Sequence, residues 1–188
     1  MNGNKKEGIV NMSREILFRG QTRRKGEKVR MGDGKPLDSN WVYGGILPQN
    51  NGGDFAIIYT YEPIEKRVVY SDTVCQFTGM YDCTKWEELT EEDRQRFLSE
   101  YKYGENCKNT KEDWKGRKIF ENDICEMVYD GNSYTYVIVW DDEEQDFKGT
   151  NGKENYGRNF EYMGCCEELV VIGNKFDNPE LLKDLTAK

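Results

Sequence analysis

The groups available for chemistry in this chain are carboxylates, lysines, tyrosines and cysteines, because its 188 residues include no histidine. That removes Ser-His-Asp and Cys-His nucleophiles, His-containing zinc sites and an imidazole base working near neutral pH. The six cysteines do not fill the gap. Cys75, Cys83, Cys107, Cys125 and the adjacent Cys165 and Cys166 form neither a C-x-x-C pair nor a zinc-ribbon spacing. They read as reduced, partly buried packing residues. The run Asp141-Asp142-Glu143-Glu144-Gln145-Asp146 invites comparison with a calcium loop. Asp146 and Gly152, however, stand where an EF-hand needs its sixth-position glycine and twelfth-position glutamate. A solvated loop is expected there. No residue is assigned a catalytic role, and no metal or cofactor is expected.

The net charge of −8 is unevenly spread. Residues 14–35 hold eight bases against three acids, whereas 141–188 hold twelve acids against six bases. Arg19, Arg23, Arg24 and Lys25, beside Phe18, could follow a phosphate backbone. The same residues also fit a solvated turn between strands, or a strip that meets the acidic C-terminal half within the chain or in a neighbouring subunit. Leu, Ile, Val and Phe make up only 38 of the 188 residues, but twelve Tyr and four Trp supply large faces suited to a thin β-rich core. No run approaches the roughly 18 apolar residues of a membrane span, and residues 1–10 lack a secretory apolar stretch. A soluble, cytoplasmic protein is expected.

The elements that would position these groups are mostly short strands. Residues 1–12 are polar and aperiodic and read as a mobile leader. Ile16 to Arg19, Trp41 to Leu47, Phe55 to Tyr61 and Arg67 to Tyr70 alternate as a meander, and Gln76-Phe77-Thr78-Gly79 closes that half. Residues 83–113 read as an insertion carrying one helix at about 90–103, with Thr90 as N-cap, Glu91, Glu92 and Asp93 in its first turn, a Glu92–Arg96 pair and Gly104 beyond its end. Its apolar stripe, Phe97, Leu98 and Tyr101, would pack on the domain or contact a partner. Asp130-Gly131 marks a hairpin, and Pro179 starts a short helix after Asp177 or Asn178.

Several of these pieces, taken in order, resemble the YopX family, which belongs to phages and prophages and is defined by sequence rather than by a reaction. They are Arg14-Glu15-Ile16-Leu17-Phe18-Arg19, Trp41-Val42-Tyr43-Gly44, Gln76-Phe77-Thr78-Gly79, Lys115-Gly116-Arg117-Lys118-Ile119-Phe120-Glu121-Asn122-Asp123-Ile124 and Val171 through Leu182. The resemblance runs from about Ser13 to Leu182. It implies a phage-derived accessory protein. The fold expected from the strand pattern is mainly β: an N-terminal meander (13–82) packed on a small SH3-like barrel (114–188), with the helical insertion between them. The expected function is a non-enzymatic module that binds a protein partner or itself. The alternative is a nucleic-acid-associated regulator that uses the barrel and the basic strip.

Overall fold

The computed structural model describes residues 15–24, 26, 40–47, 53–61, 64–101, 107–151 and 160–182. The expected leader, Lys25, Gly104 and most of the 149–157 loop fall outside these residues. Among the described residues the architecture is mainly β, with two antiparallel sheets and one α-helix. The first sheet has six strands in the order β4-β3-β2-β1-β5-β6: β1 Phe18–Arg23, β2 Asn40–Leu47, β3 Phe55–Tyr59, β4 Lys66–Tyr70, β5 Cys75–Tyr81 and β6 Lys118–Phe120. The second has five in the order β10-β9-β8-β7-β11: β7 Asp123–Tyr129, β8 Asn132–Asp141, β9 Asp146–Thr150, β10 Phe160–Tyr162 and β11 Glu168–Asn174.

Alternation decides what each sheet buries, because successive side chains point to opposite faces. In the first sheet Ala56, Ile58 and Val69 are buried with Phe18, Val42, Ile46 and Val74 against them. This inner face is strongly curved. A Cβ added to Gly20 on β1 would lie 2.9 Å from Val69 Cγ2 on β4, so β1 and β4 approach each other across the concavity. In the second sheet Cys125, Met127, Tyr136, Ile138, Phe147 and Leu169 form the core with Ile119 and Met163. Val137 is buried as well, so both faces of β8 contribute, as its sequence suggests. The β7–β8 turn takes positive φ at Asp130 (48°) and Gly131 (70°), the geometry for which Asp-Gly is suited.

The second sheet is open, with β10 and β11 at its edges, and is not the closed SH3-like barrel expected over 114–182. The physical reason is the placement of β6. Its Phe120 pairs with Phe77 of β5 in the first sheet, and after the turn Glu121–Asn122 the chain enters β7 of the second. The helix α1, Glu91–Ser99, has Thr90 as its N-cap, with Thr90 Oγ1 accepting from Asp93 N at 3.1 Å. It stops short of the expected 103. Glu100 is extended, Asn109 N donates to Glu100 O at 2.9 Å, and Asn109 Nδ2 donates to Phe97 O at 3.1 Å. Those bonds satisfy terminal carbonyls that a further turn would otherwise use. Arg96 pairs with Asp93 at 2.6 Å, one turn back by three residues, rather than with Glu92. The final turn, Pro179–Leu182, is 3-10.

Candidate functional site

The segments that carry the family resemblance converge where the two sheets meet. Arg19 projects from the outer face of β1, and its Nη2 donates to Asp123 Oδ1 at 2.5 Å. The two side chains are 9 % and 1 % exposed. The guanidinium is stacked between Trp41 (4.7 Å from the ring centroid) and Phe120 (4.6 Å). Asp123 Oδ2 accepts from Phe120 N at 2.7 Å, closing the turn that leads from β6 to β7. Burial pulls the Arg19 pKa down, but Asp123 together with Tyr43 and Cys75 more than offsets it, so the guanidinium stays protonated. The Nε of Arg19 is buried without a partner.

The C-terminal turn covers the next part of the same face. Asp177 accepts from Gln21 Nε2 at 2.9 Å, from Trp41 Nε1 at 2.7 Å and from Asn174 Nδ2 at 3.0 Å. Asn174 Oδ1 in turn accepts from the backbones of Phe176 and Asp177, both at 3.0 Å. Asp177 is therefore a clamp on β1 and β2, and Asn178 is the residue whose carbonyl closes the 3-10 turn, accepting from Leu181 N. A third knot lies at Asp82, which is 3 % exposed. Its carboxylate accepts from Thr84 N and Oγ1, Arg117 N and Val171 N, tying the end of β5 and the middle of β11 to the start of β6. Gly116 passes so close, at φ 113°, that a Cβ there would lie 1.9 Å from Asp82 O.

The expected site residues fall in different places. Arg19 is enclosed and bound, so its guanidinium is not available to a phosphate. Arg24 forms a two-oxygen pair with Asp72 and lies 4.4 Å from the Tyr70 ring centroid. Arg23 is half-buried at the end of β1. Phe97 packs inward: its ring is 5.1 Å from Trp114 and 6.0 Å from Trp86, and Trp86 is 6.0 Å from Trp114. Leu98 is half-buried, whereas Tyr101 is exposed, bridges to Lys108 and has that ammonium 5.7 Å from its ring. The structure brings Phe97 into an aromatic box that docks α1 and leaves Tyr101 outside it.

The acidic run is more engaged than a solvated loop. It forms the β8–β9 hairpin, where Asp141 and Glu144 accept from the buried Lys148 Nζ at 2.6 and 2.9 Å. Tyr162 also donates to Glu144 at 2.7 Å. These hydrogen bonds hold Asp141 and Glu144 below the usual carboxylate range and raise Lys148. Among the described residues no group of three or more Cys, Asp or Glu is placed to hold a metal. Cys75 and Cys125 are buried, and burial raises both thiols; Cys83 and Cys165 are exposed and are not packing residues.

Beyond the clamp the outer face of the first sheet is open. Leu47 stands opposite Ile57, Ile57 opposite Val68, and Phe55 opposite Tyr70 with ring centroids 5.3 Å apart. Leu47 is 42 % exposed, Phe55 52 % and Val68 58 %. Nothing in the sequence distinguishes the covered half of this face from the open half.

Comparison with known proteins follows the same division of the chain. Residues 108–183, less than half of the chain, match the family model described as YopX protein, so that segment is similar to the YopX family. Asp123 and Asp177 lie inside that segment and their partners Arg19, Gln21 and Trp41 outside it, although the resemblance was expected to begin near Ser13. No curated protein matches the chain, and no solved structure does.

Proposed function

We propose that this chain is a phage- or prophage-derived accessory protein of the bacterial cytoplasm, a non-enzymatic module that engages a protein partner or a second copy through the outer face of β2, β3 and β4. The observation that carries this reading is the cross-strand row Leu47, Ile57 and Val68 with Phe55 beside it, an apolar surface left uncovered where the C-terminal turn ends. Contiguous exposed apolar patches rimmed by polar groups mark interaction surfaces. The rim is present: Lys66, Asp54 and Asp72 are all exposed around it. The SH3-like barrel belongs, on this reading, to the N-terminal half. In its support, β5 pairs with β1, β1 with β2, and β2, β3 and β4 follow in order; a 3-10 turn, Ser71–Thr73, joins β4 to β5, and Gly20 lies against Val69. No helix among the described residues is long and apolar enough to cross a membrane.

Val68→Glu tests the proposal. The side chain is already more than half exposed, so stability is expected to change by no more than about 0.5 kcal/mol. Light scattering across a concentration series should show association by the native chain that the variant loses. If the native chain is a monomer, affinity capture from host lysate should retain a protein that Val68→Glu releases and Glu143→Lys, on the distant β8–β9 hairpin, keeps. A native monomer with identical captures by both variants would overturn the reading. Tight, salt-dependent binding of mixed-sequence DNA or RNA that Arg23→Glu with Arg24→Glu abolishes would replace it with the nucleic-acid reading.

A further inference from the structure

The inner face of the second sheet carries more aromatic surface than its core uses. The packed cluster reaches past Met127 to Tyr136, with Tyr129 against it, and beyond them, toward the β7–β8 hairpin, a half-open cavity of about 400 Å³ is lined by Tyr129, Asp130, Asn132, Tyr134, Tyr136 and Glu161. Register explains why these residues meet. Cys125 stands opposite Tyr136, Met127 opposite Tyr134 and Tyr129 opposite Asn132. Glu161 stands opposite Gly149, which stands opposite Ile138. Since alternate residues share a face, Tyr129, Tyr134, Tyr136 and Glu161 rise from the side that carries the core.

The walls are set at angles suited to enclosing a round ligand. Tyr129 and Tyr136 stand at 87° with centroids 6.4 Å apart, and Tyr134 lies 6.2 Å from Tyr136. The Tyr129 hydroxyl donates to Tyr162 O at 3.1 Å, which fixes one wall. The six lining residues include two carboxylates and no base. Burial, with a contribution from Glu161, raises the Tyr129 and Tyr136 phenols, so both rings stay neutral beside a negative charge. An aromatic ring presents a negative face, which attracts a cation. An anion would meet two carboxylates, and a neutral apolar ligand would gain nothing from them.

We propose that this cavity binds a quaternary ammonium group, carried either by a small solute or by a methylated lysine of another chain. The site is separate from the outer face of β2–β4, so Val68→Glu leaves it intact and the two readings can fail independently. The full chain is titrated with choline, with the neutral tert-butyl isostere of choline and with a short peptide bearing trimethyllysine, read by tyrosine fluorescence. Choline or the peptide is expected to saturate, with the isostere weaker by about tenfold. Whichever cation binds more tightly identifies the source. Tyr134→Leu keeps the bulk at a position already 46 % exposed but removes the ring face, and is expected to weaken cation binding about fivefold. Glu161→Gln should weaken it while leaving isostere binding unchanged. Equal affinity for choline and its isostere, no saturation by either cation, or unchanged affinity in a folded Tyr134→Leu variant would overturn the proposal.

Discussion

Arg19 and Asp123 hold each other in surroundings where neither charge could stand alone. Removing one partner of a buried pair strands the other, at a typical cost of about 3–5 kcal/mol. Asp123→Ala is therefore expected to lose that much stability in urea denaturation, and it also releases the Phe120 amide it binds. Arg19→Lys should rescue little, since an ammonium cannot stack between Trp41 and Phe120 as the planar guanidinium does. Arg19→Met combined with Asp123→Asn should lose less than Asp123→Ala alone, because it leaves no unpaired charge and keeps the turn acceptor. Additive losses in the double variant would mean that the two side chains are not coupled. The sequence made half of this site legible. Asp123 closes a turn that the residue types Glu121-Asn122-Asp123 are suited to form. Arg19 reads as a member of a basic strip because its neighbours along the chain are basic, whereas its partner lies 104 residues away. Asp177 was legible only as a helix start for the same reason, with Trp41 136 residues distant.

Local signals recovered most elements and long-range pairing decided what they failed to give. Thr90, the acidic first turn and Asp130-Gly131 each act within a few residues, so the start of α1 and the β7–β8 hairpin stand where expected. The three residues Lys118–Phe120 carry no period of their own, and it is the pairing of Phe120 with Phe77 and of Lys118 with Tyr81 that assigns β6 to the first sheet. The stretch 83–113, expected to be an insertion, makes contacts of its own at its start. Cys83 N donates to Leu169 O, and Thr84 is bound twice by Asp82, so those two residues belong to the main body rather than to the insertion. Replacing 85–113 with Gly-Asn-Gly removes Trp86 and Phe97 with α1, uncovers Trp114, and leaves the Asp82–Arg117 bonds in place. That shortened chain is expected to unfold in one cooperative step, because surface loops are cheap to shorten. Dye binding and loss of cooperativity would instead place the aromatic box inside the main core.

At the scale of the whole molecule, three tyrosines that are buried or half-buried, Tyr81, Tyr129 and Tyr136, set an alkaline limit. Tyr81, Tyr129 and Tyr136 all have phenols raised by burial. The unfolded chain releases such protons at about pH 10, while the folded chain retains them. The folded state then binds more protons, so stability is fully present below that pH and falls as pH rises through the folded values. Denaturation midpoints should decline above about pH 10, with part of the phenolate absorbance appearing only as structure is lost; a midpoint flat through strong alkali would contradict this. The clamp by Asp177 has a further consequence, in time rather than in space. Gln21 meets its partner 156 residues later in the chain. At typical synthesis rates of about 5–20 residues per second, β1 and β2 leave the ribosome roughly 8–30 seconds before that partner exists. Throughout that interval Trp41 and the Arg19 side lack their cover, so prematurely terminated chains would present to chaperones and proteases the surface that the finished protein conceals.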